Sequence, residues 1–526
     1  MFTSTRWSII ALLFASSSSP ADSILTDIDA PGLATTAQAY AVDSIVIPMD
    51  TDFQDGAMLN AYGLVYKLLT LGVPVDWIIK PGKAYSQSDV TISYHQIGTA
   101  ASGTHDYRGG PFVIAAADRA TALPIIQAWQ STNPLTTVHE ATAGFTADVG
   151  RRLVAAPRIA VLADGSESIA FGYLNAASIP DSQGNTWTSS SVDRLTPETI
   201  AGATTTNHRD GALFDANGTP HYSLVATMHF VYGAMDSVQS EVVAEFAQFL
   251  TSRQLLFAEC QSVLPTIEGR ARFLTDQGLS VTSQSALIDH FFAAHPIAQA
   301  DGTLATVGGS QPSFVPVGVF LGVEGTDYWR LVRNQIGGGN VLVAGNALQN
   351  AAAGRVVYLG GHQYSTTTPI STNPGTNGVR HFLNAVLFAP ATAINDGLAG
   401  LTATLSGPAS PTANPNMDFS IHYQNVGLGV AHAAQIVVPV PPGLIASMVS
   451  DSGMVSGGNI LWNLGDVDAG KPVSGGVLSF RLTDASPGIH SVNSTAGYKR
   501  GITPVSLTST IEVNFVPDLI FASGFQ

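Results

Sequence analysis

The sequence predicts two folded regions of different class: an α/β unit with a mostly parallel, three-layer sheet, followed by an all-β sandwich. Over 43–392, continuous apolar runs alternate with segments of helical period, which is typical of strands covered by helices on both faces. Over 398–515, short alternating runs are separated by turns rich in Gly, Pro, Asn and Asp. About seven such runs indicate an Ig-like β-sandwich.

The first region reads as strands alternating with helices. The run 44–48 precedes a helix at 58–71, whose residues Met58, Tyr62, Val65 and Leu69 share one face. Further strands are predicted at 75–80, 111–117, 157–164, 222–230, 254–260, 317–323, 341–345 and 355–361. Further helices are predicted around Trp129, at 166–178, after Asp236 and at 378–388. The pattern allows one sheet or two lobes with a seam near 150.

Composition excludes several classes of function. The 526 residues include 22 basic and 38 acidic side chains, a net charge of −16, so the basic surface that nucleic acid needs is not expected. A single cysteine excludes an intramolecular disulfide and a cysteine-rich zinc finger. No phosphate-binding glycine loop of the P-loop or dinucleotide type follows the first strand, and we expect no cofactor.

The two ends of the chain resemble those of exported proteins. Arg6, the apolar run 7–15 and the small residues after it predict a signal peptide at 1–21, followed by a linker at 22–42. The apolar run is too short to span a membrane, and we expect no span in the mature protein. The tail at 516–526 resembles a short ending of exported gammaproteobacterial proteins, although it could also be a last strand. We therefore expect a bacterial protein that is secreted or held at the cell surface.

Candidate catalytic residues follow two of the predicted strands. Cys260 follows the run LLFAE, and small residues two positions to either side, Ala258 and Ser262, would let a nucleophile project from a tight turn. His362 follows VVYLGG, at the end of the sheet where parallel strands place ligands. Glu259 is either an acid/base group or a side chain on the opposite face. The alternatives are an inert core cysteine and a loop histidine that caps backbone.

Predicted substrate-binding residues surround His362. Gly360 and Gly361 would let backbone approach a substrate, and Tyr364 would line the site. Glu268 is a further acidic candidate.

Two polar clusters have weaker patterns. The first could bind zinc or be a polar loop before a strand, and it comprises His208, Arg209, Asp210, His221 and His229. The second could hold a cation or cap the helix near Met58, and it comprises Asp50, Asp52 and Asp55. The first cluster has no tight metal spacing such as H-E-x-x-H, and Asp is common at helix starts, so no metal site is assigned.

Two stretches of the first region resemble class I glutamine amidotransferase-like domains of the trehalose-utilisation type, which have a flavodoxin-like fold. They are QLLFAECQSV and GRVVYLGGHQYSTTTPISTNPGTNGVRHFLNAVLF (354–388). The resemblance implies Cys260 as nucleophile and His362 as general base. The family pattern G-x-C-x-G has Ala258 and Ser262 in place of its glycines.

The second region resembles the conserved-repeat domains of bacterial secreted and surface proteins. The matching segments are the turn 425–427, PVPPGL ending at Leu444, and WNLGDVDAG (462–470). The resemblance implies an Ig-like accessory module that presents its neighbour, without catalytic residues.

Two functions remain open from the sequence. The first is a hydrolase of an amide or glycan-linked substrate that uses Cys260 or a water molecule, with His362 as base. The second is a non-catalytic protein that binds a small-molecule, glycan or peptide ligand in a pocket lined by aromatics such as Tyr62, Trp77 and Tyr364. Oligomeric state is not determined by the sequence.

Overall fold

A computed structural model describes residues 35–153, 155–215, 218, 220–231, 237–351, 353–389, 400–408, 416–425, 431–467, 475–484, 488–500 and 503–515. The expected signal peptide at 1–21, most of the linker at 22–42, and the tail at 516–526 lie outside the described residues. The strands form four sheets, of eight, ten, four and five strands.

The first sheet is antiparallel in every described pairing. Its strands are β1 (Thr36–Tyr40), β2 (Ile45–Ile47), β3 (Val75–Ile78), β4 (Val90–Gln96), β5 (Ser102–Tyr107), β6 (Phe112–Ile114), β7 (His139–Ala141) and β8 (Phe145–Leu153). They lie in the order β1-β8-β3-β6-β2-β7-β4-β5. Its helices are α1 (Thr51–Gln54), α2 (Met58–Thr70) and α3 (Arg119–Thr132).

The second sheet combines a parallel block with an antiparallel extension. Its strands are β9 (Ile159–Leu162), β10 (Arg194–Leu195), β11 (Leu224–Thr227), β12 (Leu255–Glu259), β13 (Leu279–Thr282), β14 (Ile288–His290), β15 (Ser313–Pro316), β16 (Tyr328–Asn334), β17 (Asn340–Asn346) and β18 (Arg355–Leu359). Strands β10-β9-β11-β12-β18 are parallel, and β17 starts the antiparallel part. Its helices are α4 (Ser168–Ala176), α5 (Pro197–Ala201), α6 (Ser237–Phe249), α7 (Gly269–Ala271) and α8 (Thr376–Phe388).

Helix α8 connects the two larger sheets, and it is buried along its whole length. The Arg380 guanidinium donates to the Met49 carbonyl at 2.9 Å, and the Asn384 side-chain oxygen accepts from the Tyr62 hydroxyl at 2.6 Å. One apolar cluster includes Trp77 from the first sheet and Phe257 from the second. Residues of both sheets therefore share a core.

The remaining strands form a two-sheet sandwich. They are β19 (Leu401–Ser406), β20 (Asn416–Asn425), β21 (Ala431–Pro439), β22 (Leu444–Ser447), β23 (Met454–Ser456), β24 (Asn459–Val467), β25 (Gly475–Asp484), β26 (Gly488–Arg500) and β27 (Thr503–Phe515). The sheets are β19-β20-β25-β22 and β23-β24-β21-β26-β27, antiparallel throughout. Trp462 lies between them against Phe480 and donates to the Ser450 carbonyl at 2.9 Å.

The predicted flavodoxin-like, three-layer and mostly parallel sheet is wrong, because the described strand pairings are mostly antiparallel. The error has a physical cause in the first sheet. Strands β2 and β6 are apolar throughout, and β3 is apolar except for Asp76. Ile45, Ile47 and Phe112 belong to the cluster that contains α2, whereas Val46 and Val113 belong to a second apolar cluster with Ile92 and Val149. Continuous apolar character reports burial on both faces and says nothing about strand direction.

The predicted strand at 317–323 is also wrong. This segment is a loop that leaves Val317, Val319 and Val323 exposed to solvent.

Candidate functional site

The ends of the parallel strands bring three metal-ligating or nucleophilic side chains together. His229 lies two residues after β11, Cys260 directly after β12, and His362 three residues after β18. One ligand atom from each lies within 4.8 Å of the others. The two candidates that the sequence placed about 100 residues apart, Cys260 and His362, are thus neighbours. We call His229, Cys260 and His362 the carboxyl-end cluster.

Cys260 occupies an unusual backbone conformation. Its φ of 50° lies in the left-handed region, which a residue with a side chain seldom adopts outside functional turns. The side chain is buried, and its sulfur lies 3.6 Å from the Ser310 hydroxyl. A wide π-helical turn at Val263–Glu268 follows, with Pro265 inside it. The tight turn expected after β12 is therefore present without flanking glycines.

The two histidines face each other across the cluster. Their ring centroids are 5.1 Å apart with an interplanar angle of 73°. The Nδ1 atom of each ring is buried, and neither has a hydrogen-bond partner among the described residues. Burial, followed by the nearby His229 ring, lowers the pKa of His362 below its usual value. Uncharged imidazole, the form that can accept a proton or bind a metal, is therefore favoured at His362.

Buried polar contacts hold the His229 loop in place. The Asp164 carboxylate, just beyond β9, accepts from the backbone N–H groups of Met228 and His229 at 2.7 and 2.8 Å, and from the Thr227 hydroxyl. The Ser262 hydroxyl accepts from the Phe230 N–H at 2.6 Å. The position of His229 is consequently set by four hydrogen bonds to neighbouring strand ends.

Glu259 supports the His362 loop from the other side. Its carboxyl group is fully buried, accepts from the Gln363 N–H at 2.9 Å and from the Tyr173 hydroxyl at 3.2 Å, and has its pKa raised to about 8 by burial. Its partners are Tyr173 and Gln363, which fits a positioning role. The catalytic roles of Cys260, His362 and Glu259 stay predictions.

The predicted substrate-binding residues pack closely against protein. The Tyr364 hydroxyl donates to the Gly360 carbonyl at 2.6 Å, and its side chain is buried. A Cβ atom at Gly360 would lie 2.6 Å from the Pro312 carbonyl oxygen, and one at Gly361 would lie 2.9 Å from the Tyr364 hydroxyl. Close packing against neighbouring atoms explains why both positions are glycine. Their role in substrate binding stays a prediction.

The other polar residues singled out in the sequence lie apart from the carboxyl-end cluster, except for His229. Glu268 is buried and accepts from Thr275 and the Tyr358 hydroxyl, which indicates a structural role. His208 pairs with Glu241, away from His229. Among the described residues, a second group of three metal-ligating side chains comprises Asp50, Asp52 and His105.

Asp55 instead accepts from the backbone N–H and hydroxyl of Ser371. Asp50, which precedes α1, makes no side-chain cap there.

A pocket lies at the opposite end of the parallel strands, near the start of β9. Its volume is about 340 Å³. It is lined by Gly63, Tyr66, Lys67, Thr70, Trp129, Ala156, Pro157, Arg158, Ile159, Asn175, Ser178, Ile179, Pro180, Asp181, Ser182, Gly184, Thr186 and Trp187. Tyr66, Trp129 and Trp187 supply aromatic walls. We call it the aromatic pocket.

Hydrogen bonds within the protein hold the walls of the aromatic pocket in place. The Asn175 side chain bonds both backbone polar groups of Trp187, and the Trp187 indole N–H donates to the Ile179 carbonyl at 3.0 Å. The Tyr66 hydroxyl donates to the Pro157 carbonyl. Because the walls come from α2, α3, α4, the start of β9 and the loops beside them, no local sequence pattern identifies the pocket. The aromatics proposed from the sequence, Tyr62 and Trp77, lie in the core instead, 1% and 0% exposed.

Lys67 is the polar feature of the pocket. Burial lowers the pKa of its ammonium group, and it has no ion-pair partner among the described residues. The Trp129 indole N–H is buried and likewise lacks a partner there. The Lys67 ammonium group is therefore an unused donor in a pocket with aromatic walls.

Comparisons with known proteins give no family. No protein-family model matches the chain, and no curated protein matches it. A similar solved structure is the CARDB domain of PF1109 from Pyrococcus furiosus, 19% identical over 23% of this chain and 90% of that one, with a TM-score of 0.16. Another is AggA, the major subunit of Escherichia coli aggregative adherence fimbriae type I, 10% identical over 22% and 95%, with a TM-score of 0.16. Similarity at such TM-scores carries no functional inference.

The class I glutamine amidotransferase-like identification, and the hydrolase expectation that it implied, are wrong. No family model supports them, and the mostly antiparallel sheets differ from the flavodoxin-like fold that the resemblance requires. The conserved-repeat resemblance of the sandwich likewise has no matching family model. Within the described residues, no helix has the length and apolar character needed to cross a membrane.

Proposed function

We propose that this protein is a non-catalytic, secreted or cell-surface protein that binds a carbohydrate in the aromatic pocket. The observation that carries the proposal is a preformed cavity of about 340 Å³ with two tryptophans and an unpaired lysine in its walls. Ligand pockets combine such apolar and aromatic walls with a few placed polar groups, in a range of about 300–1,000 Å³.

The aromatic walls favour a sugar over a peptide. A pyranose ring has one face of C–H groups, which packs on a flat indole while its hydroxyls stay at the rim. The half-buried Trp129 ring offers such a face, whereas Trp187 is only 3% exposed and, held by Asn175, fixes the shape of the wall.

The charge in the pocket favours an acidic sugar. A half-buried ammonium group without a counter-charge is costly, and a ligand carboxylate would supply that charge. We therefore propose a saccharide with a carboxylate, such as a uronic acid.

Calorimetric titration of the purified protein tests this proposal. We compare uronic-acid oligosaccharides, neutral oligosaccharides of the same length and short acidic peptides. Lys67→Met should weaken binding of the acidic sugar at least about tenfold, equivalent to about 1.4 kcal/mol. Trp129→Ala should weaken both sugars, since it removes the stacking surface.

Lys80→Met is the matched control, because Lys80 is exposed and lies outside the pocket. It removes the same charge and should leave binding unchanged. Binding of acidic peptides without binding of sugars would overturn the carbohydrate proposal, and equal losses in both lysine variants would overturn the role of Lys67.

A further inference from the structure

We propose that the carboxyl-end cluster of His229, Cys260 and His362 binds a zinc ion. This site shares no residue with the aromatic pocket, and the inference does not depend on the proposed carbohydrate function.

The three side chains are close enough to share one ion after small adjustments. Their ligand atoms lie within 4.8 Å of one another. Zinc–nitrogen bonds of about 2.0–2.1 Å and zinc–sulfur bonds of about 2.3 Å in a tetrahedron separate ligand atoms by roughly 3.4–3.6 Å. The site therefore needs side-chain movements of about 1 Å, which rotations of two imidazoles and one thiol can supply.

The backbone that carries the ligands is rigid. Each ligand follows a strand of one parallel block, in which β11 pairs with β12 and β12 pairs with β18. Asp164 and Ser262 hold the loop of His229, and Glu259 holds the residue after His362. Fixed loops of this kind lower the ordering cost of binding an ion.

The chemistry of the donor set selects a borderline transition metal. Two imidazoles and one thiolate suit zinc, whereas calcium and magnesium need oxygen ligands. On binding, the Cys260 thiol loses its proton to the buffer and the thiolate bonds to the ion. The thiolate and the nearby Asp164 carboxylate together balance the two positive charges.

Unsatisfied atoms at the cluster support a ligand there. The buried Nδ1 atoms of His229 and His362 lack hydrogen-bond partners among the described residues, and such atoms are destabilising when left unpaired. The Ser310 hydroxyl lies 3.6 Å from the Cys260 sulfur, and a water molecule would complete the four ligands.

The other three-residue group is a weaker zinc site. The Asp52 carboxylate is already paired with Arg108 at 3.1 Å, and Asp50 with His105 at 3.2 Å. A cation entering there would have to displace the Arg108 guanidinium. The carboxyl-end cluster contains no competing arginine or lysine contact among its described partners.

The test is metal binding by the purified full-length protein after treatment with a chelator. Zinc is titrated calorimetrically in two buffers of different ionisation enthalpy, and cobalt(II) replaces zinc for absorption spectroscopy. We expect one ion per chain, proton release, and an intense thiolate-to-cobalt charge-transfer band. Cys260→Ser should abolish that band, and His229→Ala and His362→Ala should each weaken zinc binding at least about tenfold.

His422→Ala is the matched control, since His422 is an exposed histidine on β20 and should leave zinc binding unchanged. Circular dichroism of each variant separates ligand loss from unfolding. Zinc binding that survives Cys260→Ser without a shift, or that disappears instead with Asp52→Asn, would overturn the proposal.

Discussion

At the scale of single residues, close backbone approach shapes the carboxyl-end cluster. Gly309 has a φ of 102°, and a Cβ atom built on it would lie 2.7 Å from the Cβ of His362. The same atom would lie 3.6 Å from the Cys260 sulfur. A side chain at this position would therefore meet both a strained backbone and a steric clash with the cluster.

We expect Gly309→Ala to destabilise the protein more than Gly165→Ala. Both positions have a positive φ, 102° and 90°, so both variants carry backbone strain of about 1–3 kcal/mol. Only Gly309 adds a clash, because no atom lies within 4 Å of a Cβ at Gly165. Urea unfolding measures the difference, and equal losses would contradict the close approach of Gly309 to His362.

The buried carboxyl of Glu259 predicts a pH dependence of stability. Burial raises its pKa from 4.5 to about 8, so the folded state holds a proton that the unfolded state loses above about pH 4.5. Its contribution to stability is fully present below that pH and declines as the pH rises toward 8. We expect Glu259→Gln to remove this decline, measured by urea unfolding from about pH 5 to about pH 9.

Glu198→Gln is the control for this measurement, because Glu198 is an exposed carboxyl in the first turn of α5. This variant should keep the decline of the parent protein. If the free energy of unfolding changes with pH in the same way in the parent protein and in Glu259→Gln, Glu259 is ionised in the folded state.

At the scale of elements, α8 joins the two larger sheets through polar groups as well as apolar ones. The Asn384 amide donates to the carbonyls of Ile297 and Gln299, and its oxygen accepts from Tyr62. All four residues are buried. Because no water can replace these bonds, the side chain is an essential connection between the sheets.

We expect Asn384→Ala to lower the free energy of unfolding by about 2–4 kcal/mol, since it removes three buried hydrogen bonds and leaves the Gln299 carbonyl and the Tyr62 hydroxyl proton without their partner. Gln127→Ala, at an exposed position on α3, should change it by less than about 0.5 kcal/mol. Chemical denaturation compares the two variants. A small effect of Asn384→Ala would mean that α8 docks by apolar packing alone.

At the scale of the whole molecule, the apolar cores separate into two groups. The sandwich has its own cluster, from Leu401 to Val513, and this cluster shares no member with those of residues 40–389. The two larger sheets share one cluster through α8. A region that buries its own core has the means to fold without its neighbour.

We predict that the sandwich is an independently folded domain with a boundary at 390–400. Limited proteolysis should cut there and release a stable C-terminal fragment of roughly 120 residues. Calorimetry of the uncut protein should show two thermal transitions. A single transition, together with resistance to cutting at 390–400, would contradict the boundary.

The sequence by itself determined where the strands and helices of the parallel block lie, and which residues follow the strand ends. The runs at 254–260 and 355–361 predict β12 and β18, and thereby Cys260 and His362 as neighbours at one sheet edge. His229 lies inside the predicted strand at 222–230, whereas β11 ends at Thr227, so the sequence does not place His229 at a strand end. The sequence groups it with nearby histidines because spacing along the chain does not report spacing across a sheet.

The tertiary structure alone decided the direction of the strands, the elements that pack on the first sheet, and the existence of the aromatic pocket. Apolar runs report burial, and residues of β2, β3 and β6 are divided between a cluster that contains α2 and a second cluster formed mainly by strands of the same sheet. The pocket brings Tyr66, Trp129 and Trp187 together from segments far apart in the chain. Such convergence depends on long-range packing, which no local periodicity records.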